Sequence, residues 1–222
     1  MKPTLQQQKD FLFQTYFGTR GDELDRFISR AYRDMNRTLH GIGKLADADK
    51  AKILNGAKTL VKTAVIALRK KPFPGNPVQG SQEFDQWHTD LCRALKTYYV
   101  TELHNFDKIH FTYGQAQKWI NMTMKYCWVC GGADVAGLEP WYSVAHVAVD
   151  EVILVAAKKE GMIKIRPCRK WSTWDDQPAY QTFQDTIRQT AASKSQSPLE
   201  LEYGWWLKYR SRVTGDGDAI DN

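Results

Sequence analysis

The sequence has no apolar run long enough to cross a bilayer as a helix, because polar or charged residues interrupt every apolar stretch well before about 20 residues. Its first ten residues, MKPTLQQQKD, also lack the apolar core of a secretion signal. These two absences predict a protein that stays in the cytosol and does not associate with membranes.

Alternation of apolar and polar residues in steps of two is nearly absent, so at most one small β element is expected. Apolar residues recur instead at steps of three and four, which is the spacing of an amphipathic helix. The 222-residue chain is 42% apolar and shows no internal repeat, which favours one hydrophobic core. We therefore predict a mainly α-helical, single-domain bundle over residues 1–212, an acidic tail at 213–222, and a monomer.

Cysteine is scarce, and the four thiols are Cys92, Cys127, Cys130 and Cys168. Cys127 and Cys130 have the Cys-x-x-Cys spacing of a metal or redox site. A structural zinc site usually needs a second close pair of ligands, whereas the other two cysteines are isolated. We predict reduced core thiols, no bound metal and no cofactor.

The apolar periodicity also locates the helices. It predicts helices over 21–40, 47–71, 81–103, 115–129, 152–159, 178–192 and 199–210. Three prolines and two glycines in 72–81 predict a rigid loop, and 105–114 is predicted to be a connection with a short extended stretch at 109–111.

Basic residues exceed acidic ones, giving a net charge of +6 and a pI of about 9.0. This balance favours a polyanionic partner, because lysine and arginine that neutralise phosphates release condensed counterions. Charge by itself does not identify the partner.

One part of the sequence pairs a lysine with a distant aspartate. In FTYGQAQKWINMTMKY, residues 111–126, Gly114 precedes a predicted helix that carries Lys118 near its start. Asp150 opens a later helix after Val147-Ala-Val. Desolvation and the helix dipole disfavour the cationic form of such a lysine, which makes a nucleophilic amine accessible. An aspartate at a helix N-terminus stays ionised and can stabilise positive charge in a transition state.

This order of residues resembles the helix-hairpin-helix DNA glycosylase superfamily. In that superfamily a glycine-bearing hairpin leads into the helix of the catalytic lysine, and a Val-Asp motif supplies the catalytic carboxylate. The interval of 32 residues between Lys118 and Asp150 is similar to that of the archaeal 8-oxoguanine glycosylase branch. The resemblance covers 109–161 and implies a helix-hairpin-helix, a cleft, and catalytic roles for Lys118 and Asp150. It also implies that Gly114, Gln115, Gln117 and Lys125 contact double-stranded DNA.

The hairpin departs from the usual Gly-x-Gly pattern, because Gly114 is followed by Gln115-Ala116 and Lys118 lies four residues beyond the glycine. Two alternatives therefore stay open. Lys125 is a second candidate nucleophile, and a water molecule used with Asp150 could replace the lysine altogether.

An enzyme that flips a nucleotide needs a pocket that stacks the base and reads its edge. Trp171 and Trp174, with Asp175 beside them, are candidates for this pocket because they occur where the C-terminal helix of the family approaches it. His146 is a further candidate, as a residue that orients Asp150.

The sequence thus predicts a DNA glycosylase, with or without β-lyase activity through a lysine Schiff base. Its substrate is either an oxidised purine, in DNA repair, or a hypermodified phage cytosine, in antiviral defence. Two alternatives belong to other classes: a helix-hairpin-helix protein that binds the duplex without chemistry, and a helical protein-interaction domain.

Overall fold

The computed structural model describes residues 3–104 and 109–213, and within these ranges the chain forms α-helices and no strand. The predicted mainly α-helical fold is therefore confirmed. The helices are α1 (Leu5–Phe17), α2 (Glu23–Asn36), α3 (Asp47–Lys70), α4 (Pro77–Glu102), α5 (Tyr113–Cys130), α6 (Glu139–Tyr142), α7 (Glu151–Lys159), α8 (Gln177–Ser193) and α9 (Pro198–Val213). Short 3-10 turns occur at Ile42–Lys44, Ala133–Val135 and Trp171–Thr173.

The structure differs from the sequence prediction at several helix ends, most clearly at the start of α4, and it adds helix α1. Helix α4 begins at Pro77 rather than at residue 81, because the Asn76 side chain accepts a hydrogen bond from the Val78 amide and proline suits the first turn. Helix α1 was not predicted, since its apolar residues do not form one stripe and Leu5, Phe11 and Leu12 are exposed. Of the predicted tail, Val213 ends α9 and residues 214–222 lie outside the described part of the chain.

The predicted hairpin turn at Gly114 is corrected. Helix α5 begins at Tyr113, so Gly114 is its second residue and does not lie in a turn. Thr112 and Gln115 form a capping box in which each side chain bonds the backbone N–H of the other residue, and this sets the helix start. Residues 105–108 of the predicted connection lie outside the described residues, and 109–111 form no strand.

Helix α5 is the centre of the domain, and every residue from 113 to 127 is buried. It packs against α2 and α4 and against the Trp171–Thr173 turn. Trp119, which is fully buried, donates from its indole N–H to the Ile28 carbonyl at 3.0 Å. A helix that is covered on all sides must find partners inside the protein for each of its polar side chains.

None of the helices in 3–104 or 109–213 combines the length and apolarity that crossing a membrane requires. Helix α7 packs on α9, and its N-terminus faces α5 through the side chain of Asp150. These contacts position the charged residues described below.

Replacing Gly114 by alanine tests the close packing at the start of α5. A Cβ at this position would lie 1.9 Å from the Trp171 carbonyl oxygen, and the Gly114 amide donates to the Trp174 carbonyl at 2.7 Å. We expect Gly114→Ala to lower the free energy of unfolding by about 1–3 kcal/mol in urea denaturation, because the turn must move.

Gly204→Ala in α9 is the matched control, since its Cβ would meet no atom within 4 Å. It should be neutral or stabilise the protein by up to about 1 kcal/mol through helix propensity. Equal losses of stability in the two variants would contradict the packing role of Gly114.

Candidate functional site

Lys118 and Asp150 meet at the junction of α5 and α7. The Lys118 Nζ lies 2.6 Å from Asp150 Oδ2, although the two residues are 32 positions apart in the chain. The side chain of Lys118 is 7% exposed and that of Asp150 is 19% exposed. The Lys118 side chain is therefore covered by protein, while the Asp150 side chain is partly exposed.

The backbone that leads to Asp150 is held by two amide side chains of α5. Gln117 donates to the Val149 carbonyl at 2.9 Å and accepts from the Val149 amide at 3.2 Å. Asn121 donates to the Val147 carbonyl at 2.9 Å. These side-chain bonds replace those that a neighbouring strand would make with the backbone. They hold the segment 147–149 in place and position Asp150 next to Lys118.

Asp150 caps the N-terminus of α7, and its Oδ1 accepts from the Ile153 amide at 3.1 Å. Burial acts to raise the pKa of the Asp150 carboxyl, but the Lys118 ammonium and the Ile153 N–H outweigh it and leave the pKa below its usual value. The site therefore holds an ionised carboxylate against the side chain of Lys118.

Trp171 covers the pair from the side of the 171–174 turn. Its half-buried ring centre lies 6.0 Å from the Lys118 Nζ. The turn is tied to the start of α5 by the Thr112 hydroxyl, which donates to the Ser172 carbonyl at 2.7 Å. The Gly114 amide bonds the same turn, so the close approach at this glycine also sets the position of the Trp171 ring.

The residues that the resemblance implies as DNA contacts lie inside the domain instead. Gln115 belongs to the capping box and donates to the Thr38 carbonyl at 2.9 Å, and Gln117 clamps Val149 as described. Gly114 packs under the turn, and Lys125 is paired with Glu202 at 2.9 Å. These contacts place all four residues inside the bundle, so none of them lies on an exposed surface that could meet a duplex.

Of the four candidates for a base pocket, only Trp171 lies beside Lys118. Trp174 is buried against Tyr180 and Phe183. Asp175 accepts from the Tyr113 amide at 2.8 Å and pairs with Lys96 at 2.5 Å, so it supports the start of α5.

His146 does not orient Asp150. Its Nε2 lies 2.7 Å from Asp85 Oδ1, its Nδ1 lies 3.1 Å from the Tyr180 hydroxyl, and the Arg188 guanidinium binds the same Asp85 carboxylate at 2.6 Å. His88 packs beside it with ring centres 4.5 Å apart. This buried cluster joins α4 to α8 and to the segment before α7, and its role is structural.

A basic segment, residues 158–170, connects α7 to the Trp171 turn and was not singled out from the sequence. It carries six basic residues and one acidic residue. Lys158, Lys159, Lys164, Arg169 and Lys170 are exposed. Arg166 bonds Glu151, the neighbour of Asp150, at 2.6 Å. A count of charge along the chain would have found this segment, but its position beside Lys118 and Asp150 depends on the fold.

The thiols of Cys127 and Cys130 lie near the end of α5. Burial raises the pKa of both thiols, most strongly that of Cys127, which disfavours the thiolate that binds metals. In the two described ranges, 3–104 and 109–213, no three or more histidine, cysteine or acidic side chains form a group that could hold a metal ion.

The buried histidines predict a pH dependence of stability. Burial lowers the pKa of His146 from 6.5 to about 4 despite its bond to Asp85, and burial together with His146 lowers that of His88 well below its usual value. Folding therefore favours the neutral imidazoles. Their contribution to the free energy of unfolding is fully present above pH 6.5 and is lost as the pH falls towards 4. We expect the free energy of unfolding in urea to drop by roughly 2 kcal/mol from His146 alone between pH 7 and pH 5.

His146→Gln provides the control, because it removes one titrating group. The number of protons taken up on unfolding, read from the slope of the free energy of unfolding against pH, should fall by about one. A free energy of unfolding that stays constant from pH 7 to pH 5 would contradict this account of the cluster.

Comparisons with protein-family models, with curated proteins and with solved structures found no match to this chain. The function is therefore argued from the site itself. The groups there that could carry chemistry are an ion-paired lysine, an ionised and partly exposed aspartate, a tryptophan ring and the basic segment.

Proposed function

We propose that the protein is a DNA glycosylase in which Lys118 and Asp150 excise a damaged or modified base. The observation that carries the proposal is the 2.6 Å contact between an amine and a carboxylate from distant parts of the chain. This reaction needs two groups: an amine that attacks the sugar, and a carboxylate that accepts and then donates a proton.

The contact supports a definite order of events. As the Lys118 ammonium transfers a proton to Asp150, the freed amine attacks C1′ of the nucleotide. The Nζ–C1′ bond forms while the N-glycosidic bond breaks, and the departing base keeps the bonding electrons. Asp150 then passes that proton to the departing base and is ionised again. The carboxylate next carries a proton from Nζ to O4′ as the C1′–O4′ bond opens, which leaves the protonated Nζ–C1′ imine beside an ionised carboxylate.

Trp171 supplies a flat surface beside these groups. Its ring is half-buried and lies 6.0 Å from the Lys118 Nζ. Stacking on an aromatic side chain is worth about 1–3 kcal/mol per base and tolerates different bases. We assign Trp171 the role of stacking the extruded base, which fits either an oxidised purine or a hypermodified cytosine.

The basic segment 158–170 supplies the phosphate contacts that α5 does not. It begins in the last turn of α7, the helix that Asp150 caps, and ends at Trp171. Its exposed lysines and arginine can therefore neutralise phosphates close to the reacting nucleotide. A protein that only binds the duplex would need this segment but not the covered Lys118–Asp150 pair.

Borohydride trapping tests the chemistry. With duplexes that contain oxidised purines or hypermodified cytosines, the wild type should release a base and form a covalent adduct when the imine is reduced. Lys118→Met should abolish the adduct, and Asp150→Asn, which keeps the helix cap, should slow base release by about 100-fold or more.

Lys52→Met is the control for trapping, since Lys52 is an exposed residue of α3. It should form the adduct at the wild-type rate. Base release that requires Asp150 but gives no adduct would assign the attack to water. The absence of release from every duplex, or an adduct that survives Lys118→Met, would refute the proposal.

Salt dependence tests the basic segment separately. The triple variant Lys164→Gln, Arg169→Gln, Lys170→Gln should bind duplex more weakly and lower the slope of log K against log salt by about 0.9 per lost phosphate contact. The control variant Lys52→Gln, Lys70→Gln, Lys71→Gln removes the same charge elsewhere and should keep the wild-type slope. Equal slopes for the two variants in gel shifts would exclude the segment as the phosphate-binding surface.

A further inference from the structure

A cavity lies between α1, α2, α5 and α9, on the part of α5 beyond Lys118. Its volume is about 910 Å³, which is within the range of small-molecule sites. Lys125, which lines it, is seven residues after Lys118, so the two lysines are separated by about 10 Å along the axis of α5. The cavity is therefore distinct from the Lys118–Asp150 site.

Aromatic rings form one wall of this cavity. Phe17 packs against Phe13 at 4.9 Å and against Tyr126 at 5.1 Å between ring centres. Met122 of α5 and Trp206 of α9 also line the cavity. Surfaces of this kind favour a flat, apolar molecule.

A buried charge lies at the base of the cavity. The Lys125 side chain is 9% exposed, and its Nζ lies 2.9 Å from Glu202 Oε1 and 5.7 Å from the centre of the Trp206 ring. An ammonium has three donors, and in the described part of the chain Glu202 is the one acceptor bonded to it. The other oxygen of Glu202 accepts from the Ala148 amide at 3.2 Å. Lys125 thus has donors left for a ligand.

The rim charges are balanced, with Lys9 and Arg26 against Asp10 and Glu23, so the preference for an anion rests on the unused donors of Lys125. Both acids are already bonded, because Glu23 accepts from the Gly132 amide at 2.9 Å and Asp10 accepts from Gln6 at 2.8 Å. The Phe13 ring already carries a cation, since the Arg26 guanidinium lies 5.0 Å from its centre.

We propose that this cavity binds an aromatic carboxylate, with the ring against Phe13, Phe17 and Tyr126 and the carboxylate on Lys125. The apolar wall provides burial for the ring. The covered ammonium provides a charge-assisted hydrogen bond in a place where water competes poorly.

Two probes of the same shape test the proposal by isothermal titration calorimetry. The probes are 2-naphthoate and 2-naphthalenemethanol, which differ in the charge of the head group. The wild type should bind one naphthoate per chain, at least tenfold more tightly than the alcohol. Val129→Trp, at the exposed end of the wall, should weaken naphthoate binding at least tenfold, whereas Val100→Trp on the exposed face of α4 should not.

The double variant Lys125→Met, Glu202→Gln tests the head-group contact without leaving an unpaired charge. It should bind both probes with equal affinity while keeping the wild-type circular dichroism. Undetectable naphthoate binding, equal affinities of the wild type for the two probes, or unchanged binding by Val129→Trp would each overturn the proposal. A wild-type dimer that Val129→Trp converts to a monomer would also overturn it, because a second copy of the chain would then occupy the cavity.

Discussion

Helix α5 passes through the centre of the domain while carrying two lysines, and a covered ammonium group requires a carboxylate partner. Lys118 finds Asp150 at the start of α7, and Lys125 finds Glu202 in α9. Because α7 and α9 also pack on each other, the two pairs fix this part of the bundle relative to α5. This charge pairing positions Lys118 beside Asp150 at one site and Lys125 in the wall of the cavity.

The two pairs differ in what surrounds them. Asp150 is partly exposed, beside Trp171 and the basic segment 158–170, whereas Glu202 is only 1% exposed. An accessible carboxylate next to an amine suits chemistry on a large anionic substrate. The Lys125–Glu202 pair lies under an aromatic-walled cavity and suits a small molecule. One helix thus presents two sites of different character along the same face.

Much of the fold could be predicted from the sequence, because helices such as α2 and α3 have regular apolar stripes. Helix α1 could not, since its apolar residues are spread around the helix and several are exposed. The positions of Lys118 and Asp150 near the starts of two helices indicated that the two residues act as a pair. The burial of Gln117 and Lys125 was not predictable from the sequence, because α5 is covered on all sides. Inside the core, Gln117 bonds backbone groups and Lys125 pairs with a carboxylate. The role of Gly114 depends on a carbonyl 57 residues away.

We propose that the Lys118–Asp150 pair serves chemistry and adds little net stability. The most direct measurement is the free energy of unfolding of the double variant Lys118→Met, Asp150→Asn. Lys118→Met alone should cost about 3 kcal/mol, because it leaves a largely covered carboxylate unpaired. The double variant should return to within about 1 kcal/mol of the wild type or exceed it. A double variant as unstable as the single one would show that the pair contributes net stability to the fold and would contradict the account.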